Sequence, residues 1–191
     1  MKRFVTILGD IRTNVTPPKT RAKQIRDVLK LDLKAGDILG RGYDYYLDSY
    51  YLTGISHTGV YLGEGLMAHS VAEGCQFIDI VDFIANTDSF VILRPHYSTD
   101  KLLELSVKKA INFVNAKIQY DVYLKTNDLN MLYCHELTAE ALRAGGIPVN
   151  PLNRLVGLPF LKFKRELYMY EDIEKHCDMI YNFGHETRGS R

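Results

Sequence analysis

The chain has 191 residues, 46% hydrophobic and 25% charged, with a net charge of +1. Those values fit one globular domain with a real core and give no bulk electrostatic case for a nucleic-acid partner. No apolar run approaches the ~20 residues that span a bilayer, so stable membrane insertion is not expected. At the start, MKRFVTILGDIRTN, Asp10 and Arg12 interrupt the apolar run before a signal-peptide core can form. The expected location is therefore cytoplasmic. Cys75, Cys134 and Cys177 are odd in number and contain no CxxC pair, which favours free thiols.

In chain order, residues 1–30 read as an N-terminal extension, broken at Pro17-Pro18, with one short helix over Thr20–Leu29. A domain over 31–172 follows, and 173–191 reads as a tail. LKAGDILGR (33–41) is a turn and a strand from Asp37. The run YDYYLDSYY (43–51) holds five tyrosines, among them Tyr43 and Tyr45. Tyrosine joins an apolar body to a polar tip, so the run suits either a half-buried edge or one wall of a substrate groove.

Ser56–His69, SHTGVYLGEGLMAH, organises the rest. It predicts a hairpin, with strands His57–Leu62 and Leu66–Val71 joined by Gly63-Glu64-Gly65. Alternation puts His57, Gly59 and Tyr61 on one face. Pairing Leu62 with Leu66 sets His69 opposite Gly59 and makes the two histidines diagonal neighbours, about 7–8 Å apart at the backbone. Further strands are expected over Cys75–Ile80 and Ser89–Arg94, with a helical turn at Val81–Asn86 between them. Helices are expected over Thr99–Ala116 and from Cys134 to the Gly145-Gly146 stop, separated by the polar loop Asp121–Asn130. Residues 151–170 read as a loop and a last strand. Strands first and helices later make the fold class α+β.

Cys134 opens a helix, where unpaired N–H groups and the positive dipole end favour a thiolate. Beside two convergent imidazoles it completes a possible nucleophile, base and orienter set. His135, next to it, points elsewhere on a helix and is expected at the solvent or behind the site, with no catalytic role.

These residues carry a resemblance. SHTGVYLGEGLMAH resembles the histidine hairpin of the NlpC/P60 papain-like superfamily, and KAGDIL, IQYDVYLKTNDLNMLYC, LYCHEL and AEALRAGG resemble segments of its circularly permuted YiiX/YaeF-like branch, in which the cysteine follows the histidines. The match spans roughly residues 33–146. It implies a cysteine helix packed on an antiparallel sheet, with Cys134 as nucleophile, His57 as base and acid, and His69 as orienter. It also implies attack on acyl carbons, chiefly amides of peptides or peptidoglycan stems, and in some branches lipid esters. Many YiiX-like members carry a secretion signal, which this sequence does not display. A phage- or virus-encoded origin therefore stands beside a cytoplasmic peptide substrate.

The backbone N–H of Cys134 is the natural oxyanion donor. Tyr120 or Tyr123 offers a second by proximity in sequence, and both join Tyr43 and Tyr45 as candidate substrate contacts. Two rivals remain: a lipid acyl hydrolase or acyltransferase on the same site, and an inactive binding module on the same fold. A zinc site on His57, His69 and Cys134 lacks the short ligand spacings of structural zinc, so no metal and no cofactor are expected. The oligomeric state is left open.

Overall fold

A computed structural model describes residues 19–43, 54–126, 128–158 and 161–185. Tyr45 and the rest of the tyrosine run after Tyr43 lie outside these, as do most of the N-terminal extension and the last six residues. The elements are α1 (Ala22–Leu29), β1 (Ile38–Gly42), β2 (His57–Gly63), β3 (Leu66–Val71), β4 (Gly74–Asp79), α2 (Ile80–Ile84) and β5 (Ser89–Pro95). They continue with α3 (Asp100–Asn115), α4 (Cys134–Ala144), β6 (Leu152–Leu158), β7 (Leu161–Leu167), α5 (Tyr170–Glu174) and β8 (Cys177–Phe183).

Six strands form one antiparallel sheet in the order β4-β3-β2-β1-β5-β8. Strand alternation gives this sheet two apolar faces. Ile38, Val60, Ala68, Val91 and Leu93 meet Ala110, Phe113 and Val114 of α3 and Leu137 and Ala141 of α4. On the reverse, Leu39, Tyr61, Met67, Phe90 and Ile92 meet Val28 of α1 and Ile80, Phe83 and Ile84 of α2. The Thr99 hydroxyl caps α3 by accepting from the Leu102 N–H.

The entry to β1 is fixed by charge. Asp37, fully buried, accepts from Arg94 Nε at 2.9 Å and Nη2 at 2.8 Å, and from the Lys34 N–H at 2.8 Å. A bidentate pair of this kind supplies geometry as well as energy.

Several expectations need correction. Leu62 does not pair with Leu66; the ladder shifts between Tyr61 and Gly63, so that Gly63 faces Leu66. The bulge leaves the Gly59↔His69 pairing intact. Gly63, Glu64 and Gly65 all have positive φ, which explains the two glycines. Within residues 1–30, α1 packs on the body: Val28 is fully buried, and the Thr20 and Thr87 hydroxyls share a 2.9 Å hydrogen bond. Within 173–191, β8 completes the sheet beside β5, with Tyr181 stacked on Phe90. A short edge strand, half-buried along its length, has little apolar signal with which to announce itself. Residues 152–167 form a separate two-stranded hairpin in place of a single last strand.

Candidate active site

The hairpin does what its register implies. His57 Nε2 and His69 Nδ1 share a hydrogen bond of 3.0 Å, with the rings nearly perpendicular. Gly59 makes this possible. A Cβ there would come within 2.9 Å of the Ala68 carbonyl oxygen and 3.2 Å of His69 Cβ. Beneath the pair lies Phe83 of α2, its ring centroid 5.5 Å from that of His57 and 5.9 Å from that of His69. The Asp79 side chain caps α2 through the Val81 N–H, which positions the turn that carries Phe83.

Cys134 comes from the other face of the sheet. Thr58, next to His57, points the opposite way by alternation. Its hydroxyl lies 3.0 Å from His135 Nδ1 and 3.0 Å from the Thr138 hydroxyl, and donates to the Cys134 carbonyl at 3.4 Å. On β3, the Ser70 hydroxyl donates to the Leu132 carbonyl at 2.6 Å and so fixes the segment leading into α4. A helical Cβ tilts toward the helix N-terminus, so the thiol of the first residue projects past the helix end. It reaches the start of β2, donating to the Ser56 carbonyl at 3.8 Å. The cysteine and the imidazole pair therefore lie on opposite faces of β2 and approach at its first residue. Among the described residues no hydrogen bond joins the Cys134 thiol to either imidazole.

The resting groups are neutral. Burial, then the charge of Arg41, holds His57 well below the usual histidine range. Burial and then Arg41 lower His69 to about 3. Burial raises Cys134 to about 11, against the backbone N–H groups of Thr58, His135 and Cys134 itself, which face the sulfur. The expected stabilised thiolate is thus not the resting form, because desolvation outweighs the helix terminus. Iodoacetamide is accordingly expected to label Cys134 at neutral pH more slowly than it labels the urea-unfolded chain, as peptide mapping would show. Faster labelling in the folded protein would mean that the amides and His57 overcome burial.

His135 is not at the solvent. It is 1% exposed, faces Thr58, and is lowered to about 3 by burial and then by Arg154. Its helix has protein on more than one side: residues 134–139 are all buried. His69 and His135 carry a stability consequence. Their folded pKa values lie near 3, below the ordinary 6.5, so the unfolded chain binds more protons between those limits. Stability then falls as pH drops through about 6.5 toward 3, with a slope from these two groups approaching ~2.7 kcal/mol per pH unit. Urea midpoints from pH 7 to pH 4.5 should show that decline, reduced in His135→Gln. A flat midpoint over this range would contradict the buried neutral histidines.

The tyrosines divide. Tyr43 lies within 5.9 Å, ring centroid to guanidinium carbon, of Arg41 near the imidazole pair. Tyr120 packs half-buried against the α3–α4 core, and Tyr123 is exposed, its carbonyl accepting from Arg165. Sequence reasoning missed Arg41 and Phe83. Arg41 shares strand parity with Leu39, but its relevance depends on β1 pairing with β2, which juxtaposes Arg41 and His57.

No family model matches this sequence, and no curated protein matches it. Among solved structures, the chain is similar to one described as metalloprotein yiiX from Escherichia coli O157:H7, with a TM-score of 0.63 at 12% identity. The similarity covers 80% of this chain and 99% of that one. The α+β architecture is therefore a YiiX-like fold.

Proposed function

We propose that this chain, built on the YiiX-like fold, is a cysteine hydrolase of amide bonds in peptides or peptidoglycan-stem-like fragments. One observation carries the reading: a hydrogen-bonded imidazole pair at the start of β2, with a helix-terminal thiol 3.8 Å from the carbonyl immediately before it. Roles follow from protonation. When His57 Nε2–H donates to His69 Nδ1, His57 Nδ1 is left bare and can accept a proton. His69 Nε2 is buried with no hydrogen-bond partner, so His69 has nothing behind it to help it act as a base. It orients His57.

Substrate binding brings thiol and imidazole into contact. His57 takes the thiol proton as Cys134 Sγ attacks the carbonyl carbon, and the carbonyl oxygen becomes an oxyanion. Backbone N–H groups at the start of α4 stabilise that charge. The imidazolium returns the proton to the departing amine, leaving a thioester. Water, deprotonated by His57, then releases the acid and restores the thiol. The neutral resting state makes nucleophile formation dependent on substrate, which limits adventitious reaction of the thiol.

The structural neighbour is described as a metalloprotein. Among the described residues, no three His, Cys, Asp or Glu side chains converge as ligands to one ion, and the two facing imidazole nitrogens bond each other. The test is a screen against muropeptides, acyl-peptide amides and phospholipids, with Cys134→Ala as control. Cys134-dependent cleavage of an amide is the expected result; cleavage confined to phospholipid esters would move the substrate to lipid, and cleavage unaffected by Cys134→Ala would reject the mechanism.

A further inference from the structure

The hydrolytic cycle makes no use of Arg41, a cation on the imidazole face. It is the direct cross-strand partner of His57, so its side chain leaves the sheet on the same face. Its guanidinium carbon lies 4.6 Å from the centroid of the Phe83 ring, the ring on which both imidazoles also rest. Its Nη1 donates to the Phe83 carbonyl at 2.8 Å, which fixes the plane of the group. Among the described residues no carboxylate lies within ion-pair distance of it. The other exit from the guanidinium is the Nε–Nη2 edge, and there Nε is buried with no hydrogen-bond partner. A fixed, stacked cation whose Nε is unpartnered offers a fork that suits a planar oxyanion, and of the oxyanions such a fork receives, carboxylate is the one an amide substrate of the proposed reaction carries.

We infer that Arg41 forms an anion subsite beside His57 that receives a carboxylate of the acyl substrate. This deepens the hydrolase reading and rests on it for the identity of the ligand as an amide. The charge of Arg41 also acts on His57, His69 and Cys134, lowering all three, so its neutralisation by a substrate carboxylate would raise the basicity of His57 on binding. The same neutralisation raises Cys134 with His57, so the subsite favours acidic substrates by binding them rather than by shifting the proton between thiol and base.

Binding in a Cys134→Ala background tests the subsite without turnover. The probes are N-acetyl-alanylglutamate and its neutral counterpart N-acetyl-alanylglutamine amide, titrated calorimetrically. The acidic probe should bind at least ~10-fold more tightly, Arg41→Gln should erase the preference, and Arg41→Lys, which keeps charge without the fork, should retain part of it. Absence of preference, or a preference that survives Arg41→Gln, overturns the inference. Arg41-dependent binding to phosphatidylglycerol vesicles without discrimination between the peptides overturns it in favour of a lipid phosphate. If Arg41→Gln fails to fold, Arg41→Lys carries the test, and an undiminished preference there is the contradicting result. An Arg41-dependent preference in a protein that hydrolyses no amide would leave the subsite standing and reject the hydrolase reading instead.

Discussion

Cys134→Ala should lose amide hydrolysis almost completely. Removing the nucleophile of such a set typically costs on the order of 10⁴–10⁶-fold in kcat, because the remaining groups have no bond-forming atom to serve. The loss should appear in kcat, with KM little changed, since the thiol contributes little to ground-state binding. Stability should change modestly, because the sulfur makes one long hydrogen bond to the Ser56 carbonyl. Steady-state kinetics beside a thermal melt separate the two effects. A folded Cys134→Ala protein with a tenth or more of wild-type kcat would place the chemistry elsewhere.

The second large effect distinguishes the two imidazoles. His57→Ala removes the group that moves the proton, a function typically worth ~10²–10⁴-fold in rate. His69→Gln should cost less, since an amide can still accept the bond from His57 Nε2 and hold its tautomer. His57→Gln should be the poorer enzyme of the two glutamine variants. The reverse ranking, in proteins that melt like wild type, would exchange the two roles. Gly59→Ala belongs with His69 in this comparison: its added methyl crowds the Ala68 carbonyl and His69 Cβ, displacing the orienting ring and leaving His57 in the chain.

The hairpin was legible in the sequence because it is local. Gly-Glu-Gly between two alternating strands dictates a turn, and the turn fixes the histidine register to within a bulge. The helix beginning at Cys134 was legible for the same reason, from apolar spacing and a glycine stop. What depends on non-local pairing was not. Arg41 becomes a neighbour of the imidazoles only through the β1–β2 ladder, and Phe83 only through the folding of α2 against the reverse face. Of the two places the sequence left open for His135, the solvent and behind the site, the structure takes the second, because a helix buried over residues 134–139 has no solvent face beside the nucleophile. The thiol was misjudged because helix position signals its donors, whereas desolvation depends on the whole surround. Sequence spacing also could not tell that the thiol and the imidazoles occupy opposite faces of β2.

The central claim is that Cys134 forms a covalent bond to the acyl carbon. Intact-protein mass spectrometry on samples quenched after rapid mixing with an activated acyl amide or ester measures it directly. The expected result is a mass increase equal to the acyl group, mapped to Cys134, absent in Cys134→Ala and removed by hydroxylamine, which cleaves thioesters. Substrate turnover by a folded protein with no acyl adduct under conditions that slow deacylation, together with a fully active Cys134→Ser, would contradict it.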